Sequence, residues 1–421
     1  MRQRTVTMSP VIAVLLMGVA PAWAQQNPAD LGARLLKEPA VRAAVAAARA
    51  DEPATIAEQI EICEVEAPPF KEQKRAELYA RKFRALGLQN VRIDAEGNVL
   101  GERPGTAPRP HLVFSAHLDT VFPEGTDVTV KRDGPRLAAP GIGDDCRGLT
   151  VVLAVVRALN AAKVQTPGPI TFVGTVGEEG LGDLRGVKYL FNEGLKGRID
   201  RFVSVDGTGL GAANVAVGSL RYRITVKGPG GHSYGAFGMS NPIHALGRII
   251  ASVAEFDVPR EPKTTFNVGR IGGGTSVNSI PFEAWAEVDM RSADPASLQS
   301  LDARFHQAVD RAVAEEDARW GQRVLSVDKA LVGNRPAGQS PPDSAIVRTA
   351  ISVSRALDLP LVLDEGSTDS NIPMSLGIPA ITINGGGRGQ RAHSLDETFD
   401  TTDSWQGTVR AVLLAIALTQ P

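Results

Sequence analysis

The 421-residue sequence predicts an α/β protein: a mostly parallel sheet flanked by helices, with a smaller ferredoxin-like α+β domain inserted into it. Three observations predict this. Up to about residue 216, short apolar strands alternate with helical segments, the rhythm of a parallel sheet covered on both faces. From residue 217 to about 330, strands alternate apolar and polar residues, as in an open sheet with one wet face. Beyond Leu331 the first rhythm returns. Residues 25–216 and 331–421 are therefore expected to form one α/β unit, and 217–330 the insertion.

The first residues are read apart from the fold. Arg2 and Arg4 precede an apolar run from Pro10 to Ala20, too short to cross a bilayer comfortably. Ala22-Trp23-Ala24 has the small-residue pattern of a cleavage site. A signal peptide over 1–24 is expected, giving a periplasmic or secreted protein with no membrane attachment once it is cut.

The elements then follow in order. An alanine-rich helix is expected over 29–50 and an amphipathic helix over 71–86, stopped by Gly87. Between them, 63–70 carries Pro68-Pro69 and reads as a loop. A hairpin over 91–94 and 99–102 turns at Glu96-Gly97-Asn98. Strands follow at 111–116, 170–176 and 202–205, with helices at 149–162 and 186–195. In the insertion, strands are expected at 220–227, 265–271 and 283–291, with helices at 242–256 and 295–316. The last part reads as a helix at 344–357, strands at 361–363 and 380–383, and a closing helix from Ser404.

The net charge of −2, with no basic block, excludes a nucleic-acid surface. Two cysteines, Cys63 and Cys146, leave a disulfide and two free thiols equally open in an exported chain.

Each strand of the larger unit ends in ligand-type side chains. The first ends in His117 and Asp119, two apart and so on one face. Open α/β sheets place their sites at this carboxyl edge. Gly141-Ile142-Gly143-Asp144-Asp145 follows on a glycine-rich loop; the next strand ends in Glu178-Glu179, the third in Asp206. Near the end come His393, Asp396 and Glu397. So many carboxylates cannot be buried together unless cations neutralise them. Two divalent ions would do so; mixed imidazole and carboxylate donors suit zinc, with cobalt or manganese able to substitute.

This ordered pattern, H-x-D, G-x-x-D-D, E-E, D and a late histidine, resembles a known family over nearly all of the chain after residue 24. It is the family of two-zinc peptidases and amidohydrolases that includes glutamate carboxypeptidase, peptidase T, aminoacylase and succinyl-diaminopimelate desuccinylase. The resemblance implies a zinc-peptidase-like catalytic domain with a lid or dimerisation domain inserted. It implies that His117 and Asp206 hold one metal, Glu179 and His393 the other, and that Asp144 bridges them. Asp119 would orient His117, and Glu178 would be the general base. In the insertion, His232 of Gly230-Gly231-His232-Ser233 resembles the histidine that stabilises the oxyanion, supplied across subunits in dimeric members. Asn278 and Arg291 resemble the residues that grip the substrate, Arg291 by its carboxylate. Gly366-Ser367-Thr368-Asp369 and the segment from Asn384 to Gly387 resemble the loops that line the pocket. Many members have lysine where this chain has Cys146, which bears on substrate preference. His111, His244 and His306 read as structural or exposed.

The expected activity is hydrolysis of peptide or N-acyl amide bonds in small substrates with a free carboxylate, carboxypeptidase- or tripeptidase-like. The alternatives are an N-acyl-amino-acid deacylase of the same fold and a binding homologue without activity. The intact Glu178 and ligand set weigh against the last.

Overall fold

The structure, a computed structural model, describes residues 30–421; the segment read as a signal peptide lies outside them. A nine-stranded mixed sheet forms the larger unit. At its centre lie four parallel strands in the order Ile170–Thr175, Leu112–His117, Arg201–Val205 and Ala380–Ile383. The hairpin Gln89–Ile93 and Val99–Arg103 adds antiparallel strands at one edge. Ala212–Ala216 adds one at the other. The sheet is thus parallel where helices cover both faces and antiparallel toward its edges.

Side-chain alternation explains the two cores. Leu112, Phe114 and Ala116 point into a core with Leu149, Val152, Ile346, Val412 and Leu413. Val113 points to the opposite face, with Phe202, Leu190 and Leu195. Burial on both faces explains why these strands read as continuous apolar runs.

Helix starts differ from the sequence expectation where prolines lie. The alanine-rich stretch is divided into Leu31–Leu35 and Pro39–Ala50. A further helix, Glu52–Cys63, occupies a segment for which none was expected. Pro39 and Pro53 each sit in a helix's first turn, where a missing N–H costs nothing. Helix Cys146–Ala161 also begins three residues early, because the Asp145 carboxylate caps it by accepting the Gly148 N–H at 2.9 Å. Buried Arg147 then ties the two sequence halves together. It pairs with Glu52 at 2.8 Å and donates to the carbonyls of Gly385 and Ser404, each at 2.7 Å.

The inserted domain is a separate four-stranded antiparallel sheet in the order Thr264–Gly273, Glu283–Ser292, Gly218–Lys227 and Ser326–Arg335. Helices Pro242–Ala254 and Pro295–Arg319 cover one face around Phe305, Ile249 and Met290. The fourth strand runs to Arg335, beyond the border near residue 330 read from the sequence. Its pairing with Gly218–Lys227, not its own apolar pattern, sets its length. That extension carries Arg335 back to the larger unit.

Candidate metal centre

The carboxyl ends of the central strands converge as their parallel register requires. His117 closes its strand and is buried; Glu178, Glu179 and Asp206 follow the ends of the strands on either side. His393 arrives from a loop with left-handed backbone at Arg391 and His393. That loop is fixed by Glu397, whose carboxylate accepts the N–H groups of Gly141 at 3.0 Å, Gly143 at 2.8 Å and Asp144 at 3.1 Å. The late histidine and the glycine-rich loop are therefore locked to each other.

Asp144 is at the middle of the cluster. One of its oxygens is 3.0 Å from His117 Nε2 and the other 3.1 Å from His393 Nε2. His393 Nε2 is also 2.9 Å from Glu179 Oε1, and Asp206 Oδ1 is 4.0 Å from His117 Nε2. His117, Asp144 and Glu179 thus form one group with metal-ligand spacing, and His117 with Asp145 and Asp206 another. Asp145 is the weaker member. Its oxygens already accept the N–H groups of Gly148 at 2.9 Å and His117 at 3.1 Å. Asp144 has its two oxygens turned to two different imidazoles.

The charges show what the cluster needs. Burial raises Asp206 to about 7, and burial raises Glu178 well above the carboxylate range despite Arg335 beside it. Burial likewise raises Asp369 to about 6; its Oδ1 is buried without a hydrogen-bond partner. His117 is held well above its ordinary value although burial opposes this, because Asp119 and Asp144 outweigh it. His393 is raised to about 10 by hydrogen bonds to Asp144 and Glu179. Protons on two histidines balance carboxylates that divalent cations would balance better. The donor set therefore fits metal ions.

Asp119 faces the imidazole of His117 and also serves a second partner. His117 Nδ1 lies 3.0 Å from the Asp119 backbone oxygen, and 3.7 Å from its carboxylate. The carboxylate also accepts the N–H of Glu178 at 3.0 Å and of Glu179 at 2.8 Å. It orients the acidic turn more directly than the imidazole.

These residues open onto a cavity of about 360 Å³ lined by Asp144, Glu178, Glu179, Asp206 and His393 together with three arginines. Arg291, expected from the sequence, is among them. Arg221 and Arg335 were not expected. Arg335 donates to Glu178 Oε1 at 3.1 Å and to the Glu178 backbone oxygen. Nothing local in the sequence marks it, because its partner lies 157 positions away.

His232 and Asn278 are not in this cavity. His232 is exposed on a short ladder, Gly231–His232 against Ser279–Ile280, and exposed Asn278 precedes it, its carbonyl accepting the Ser233 N–H at 2.9 Å. His232 Nδ1 accepts the N–H groups of Tyr234 at 3.3 Å and Gly235 at 3.2 Å. Cys63 and Cys146 are buried free thiols in one small core with Leu137, Ile142 and Phe399.

A mixed α/β sheet with histidine and carboxylate ligands at its carboxyl edge, beneath an inserted α+β domain, defines a metal-dependent hydrolase of the peptidase type. Residues 113–417 match peptidase family M20/M25/M40, and the chain belongs to that family. It is 28% identical over 327 residues to a succinyl-diaminopimelate desuccinylase of Bordetella avium, covering 70% of this chain and 85% of the relative. The fold is shared with a tripeptidase from Staphylococcus aureus, with TM-score 0.70, 22% identity, and 87% and 98% of the two chains covered. It is also shared with the Bacillus subtilis YXEP protein, described as a dinuclear metal-binding peptidase (TM-score 0.65, 17% identity, 87% and 98% covered). The protein is a hydrolase of this family, whose members act on peptide and amide bonds.

Proposed function

We propose that this protein is an exported two-metal hydrolase of peptide or N-acyl amide bonds in small substrates with a free carboxylate. The observation that carries this reading is Asp144 held between His117 and His393, with Glu178 beside it at the cavity wall. His117 and Asp206 would hold one ion, Glu179 and His393 the other, and Asp144 both; zinc suits the donors, with cobalt or manganese as substitutes. Divalent ions bound there would polarise the amide carbonyl and acidify water.

The chain's own groups supply the rest. Asp119 fixes the Glu178-Glu179 turn, so Glu179 Oε1 meets His393 while Glu178 Oε1 meets Arg335, both at the cavity. Glu178 accepts a proton from the attacking water and returns it to the leaving nitrogen, so that amide and water become carboxylate and amine. Arg335 holds Oε1 of Glu178, which fixes the direction in which the other oxygen works. Arg291 takes the substrate carboxylate. His232 completes the site from a second copy of the chain. Support for this comes from its place outside its own cavity, beside exposed Tyr234, Phe237, Val277 and Phe282, an apolar face suited to a homodimer contact.

Export rests on the apolar run and the Ala22-Trp23-Ala24 site, with a periplasmic or secreted destination. A deacylase reading keeps the same chemistry, and the named activity of the Bordetella avium relative favours testing it. The deciding experiment incubates residues 25–421 with zinc, cobalt or manganese and a panel of dipeptides, tripeptides and N-acyl amino acids. Release of amine from some members is expected. No release from any member with any of the three metals rejects the proposal.

A further inference from the structure

Among the described residues, the chain passes twice between the larger unit and the inserted domain. Strand Ala212–Ala216 belongs to the larger sheet and Gly218–Lys227 to the inserted one, so Val217 is the outward crossing. The last inserted strand ends at Arg335, and Gly338 pairs with Ala216 again, so Pro336 and Ala337 are the return. The two crossings are pressed together: a Cβ on Gly218 would fall 2.9 Å from the Ala337 nitrogen.

One side chain grips both crossings. Asn371 is buried, and its Nδ2 donates to the Val217 carbonyl at 2.8 Å and to the Pro336 carbonyl at 3.0 Å. Its Oδ1 accepts the Thr368 N–H at 2.9 Å. An amide nitrogen carries two N–H donors, and both are used here. The reverse orientation would set the amide oxygen against two carbonyl oxygens, so the surroundings fix which way the amide faces.

The grip comes from the wall of the cavity. Asn371 begins helix Asn371–Ser375, and the loop just before it supplies Ser367 and Thr368 to the cavity lining. The Gly366 carbonyl of that loop accepts the Val217 N–H at 2.8 Å, and Ser367 Oγ lies 3.3 Å from Arg335 Nη1. Turning the inserted domain about its crossings must therefore break the bonds to Asn371 or carry the loop along. Either way the turn moves Arg221 and Arg291, which the inserted sheet holds over the cavity.

We propose that Asn371 is a positioning residue: by tying both crossings to the cavity loop, it sets the angle at which the inserted domain stands over the ligand cluster. Its effect on turnover rests on the amide-hydrolase reading above, and its effect on the domain angle does not.

Two substitutions separate the parts of the grip. Asn371→Asp can still accept the Thr368 N–H but donates nothing to Val217 or Pro336, whereas Asn371→Ala removes all three bonds. Spin labels on Arg81→Cys and Thr265→Cys, exposed sites in the larger unit and the insertion, read the angle as a distance distribution by pulsed electron resonance. The native thiols are buried and escape labelling. The unmutated protein should give one narrow distribution, and both variants a broadened or shifted one. For an amide that the zinc-loaded protein cleaves, both variants should raise KM roughly 10- to 100-fold, the cost of misplaced binding groups, with a smaller change in kcat. If Asn371→Asp keeps the unmutated distribution and KM, the side chain serves its own loop alone and the inference is overturned. A distribution already broad in the unmutated protein overturns it too. Should the buried carboxylate unfold the chain, Asn371→Ser is the neutral replacement: its hydroxyl stays near the Thr368 N–H but is too short to reach the crossings, and the same outcomes apply. If no amide is cleaved, the hydrolase reading fails and the label distances decide the inference alone.

Discussion

At the scale of single residues, Glu178 and Glu179 show how adjacent identical side chains acquire different work. Asp119 takes both of their backbone N–H groups, so the turn is rigid and the two carboxylates diverge. Glu179 goes to His393, and Glu178 goes to Arg335. Glu178→Gln should therefore keep wild-type metal content while turnover falls about 10²–10⁴-fold, the usual contribution of a general base. Plasma emission for metal and a coupled amine assay on one sample check both halves. Retained turnover would move the role to another group. His393 offers a second test. Its imidazole is raised to about 10, so in metal-free protein it is a cation at neutral pH. An imidazole binds metal only in its neutral form, so loading must expel that proton. The sign follows: apparent metal affinity should climb as pH rises from 6 toward about 10, and protons should be released on binding. Calorimetry in buffers of different ionisation enthalpy reads the release directly. An affinity that is flat with pH would contradict the geometry.

At the scale of elements, the ends of strands and helices are where the site is built, and glycines decide how closely they approach. Gly148 lies in the first turn of helix Cys146–Ala161, where a Cβ would fall 2.2 Å from Asp145 Oδ1 and 2.3 Å from the Val205 carbonyl. The helix start and the strand end that leads to Asp206 are thus pressed together. Gly148→Ala should lower stability by about 1–3 kcal/mol, the cost of overpacking, and should weaken metal retention with it. Gly247 provides the contrast. It lies within helix Pro242–Ala254, and a Cβ there would meet nothing within 4 Å. Gly247→Ala should stabilise by up to about 1 kcal/mol through helix propensity alone. Urea midpoints of the two variants, shifted in opposite directions, are the measurement. Element type was largely readable from periodicity: the central strands and the two long helices of the insertion fall where the pattern put them. Helix Glu52–Cys63 was not, because Pro53 breaks the pattern as readily as it begins a helix.

At the scale of the whole molecule, two units with separate cores meet over one cavity. The larger unit lines it with Asp144, Glu178, Glu179, Asp206 and His393, and the inserted one with Arg221, Arg291 and Arg335. His232 and Asn278 are left outside. If a second copy delivers His232, then mixing Glu178→Gln and His232→Ala chains should restore activity in heterodimers, to at most about half a wild-type dimer's, since one of the two sites would be intact. Isolating heterodimers with two different affinity tags and assaying them makes the comparison. Verified heterodimers without activity would place His232 in its own subunit's chemistry.

The sequence by itself determined the order of the central strands, the insertion between them, and the ligand-type residues at the ends of successive strands. These follow from local rules: a period of two or 3.6, a proline in a first turn, and polar side chains where an apolar run stops. His117, Asp144, Glu178, Glu179, Asp206 and His393 were legible for that reason and through their fixed order along the chain. Only the tertiary structure decided that Asp144 faces both histidines while Asp145 is spent on backbone, and that Asp119 serves the acidic turn. It alone brought Arg221 and Arg335 to the cavity and kept His232 and Asn278 out of it. The physical reason is range. Arg335 meets Glu178 through the pairing of a strand in one domain and the end of a strand in another, and no periodicity within either segment encodes that meeting.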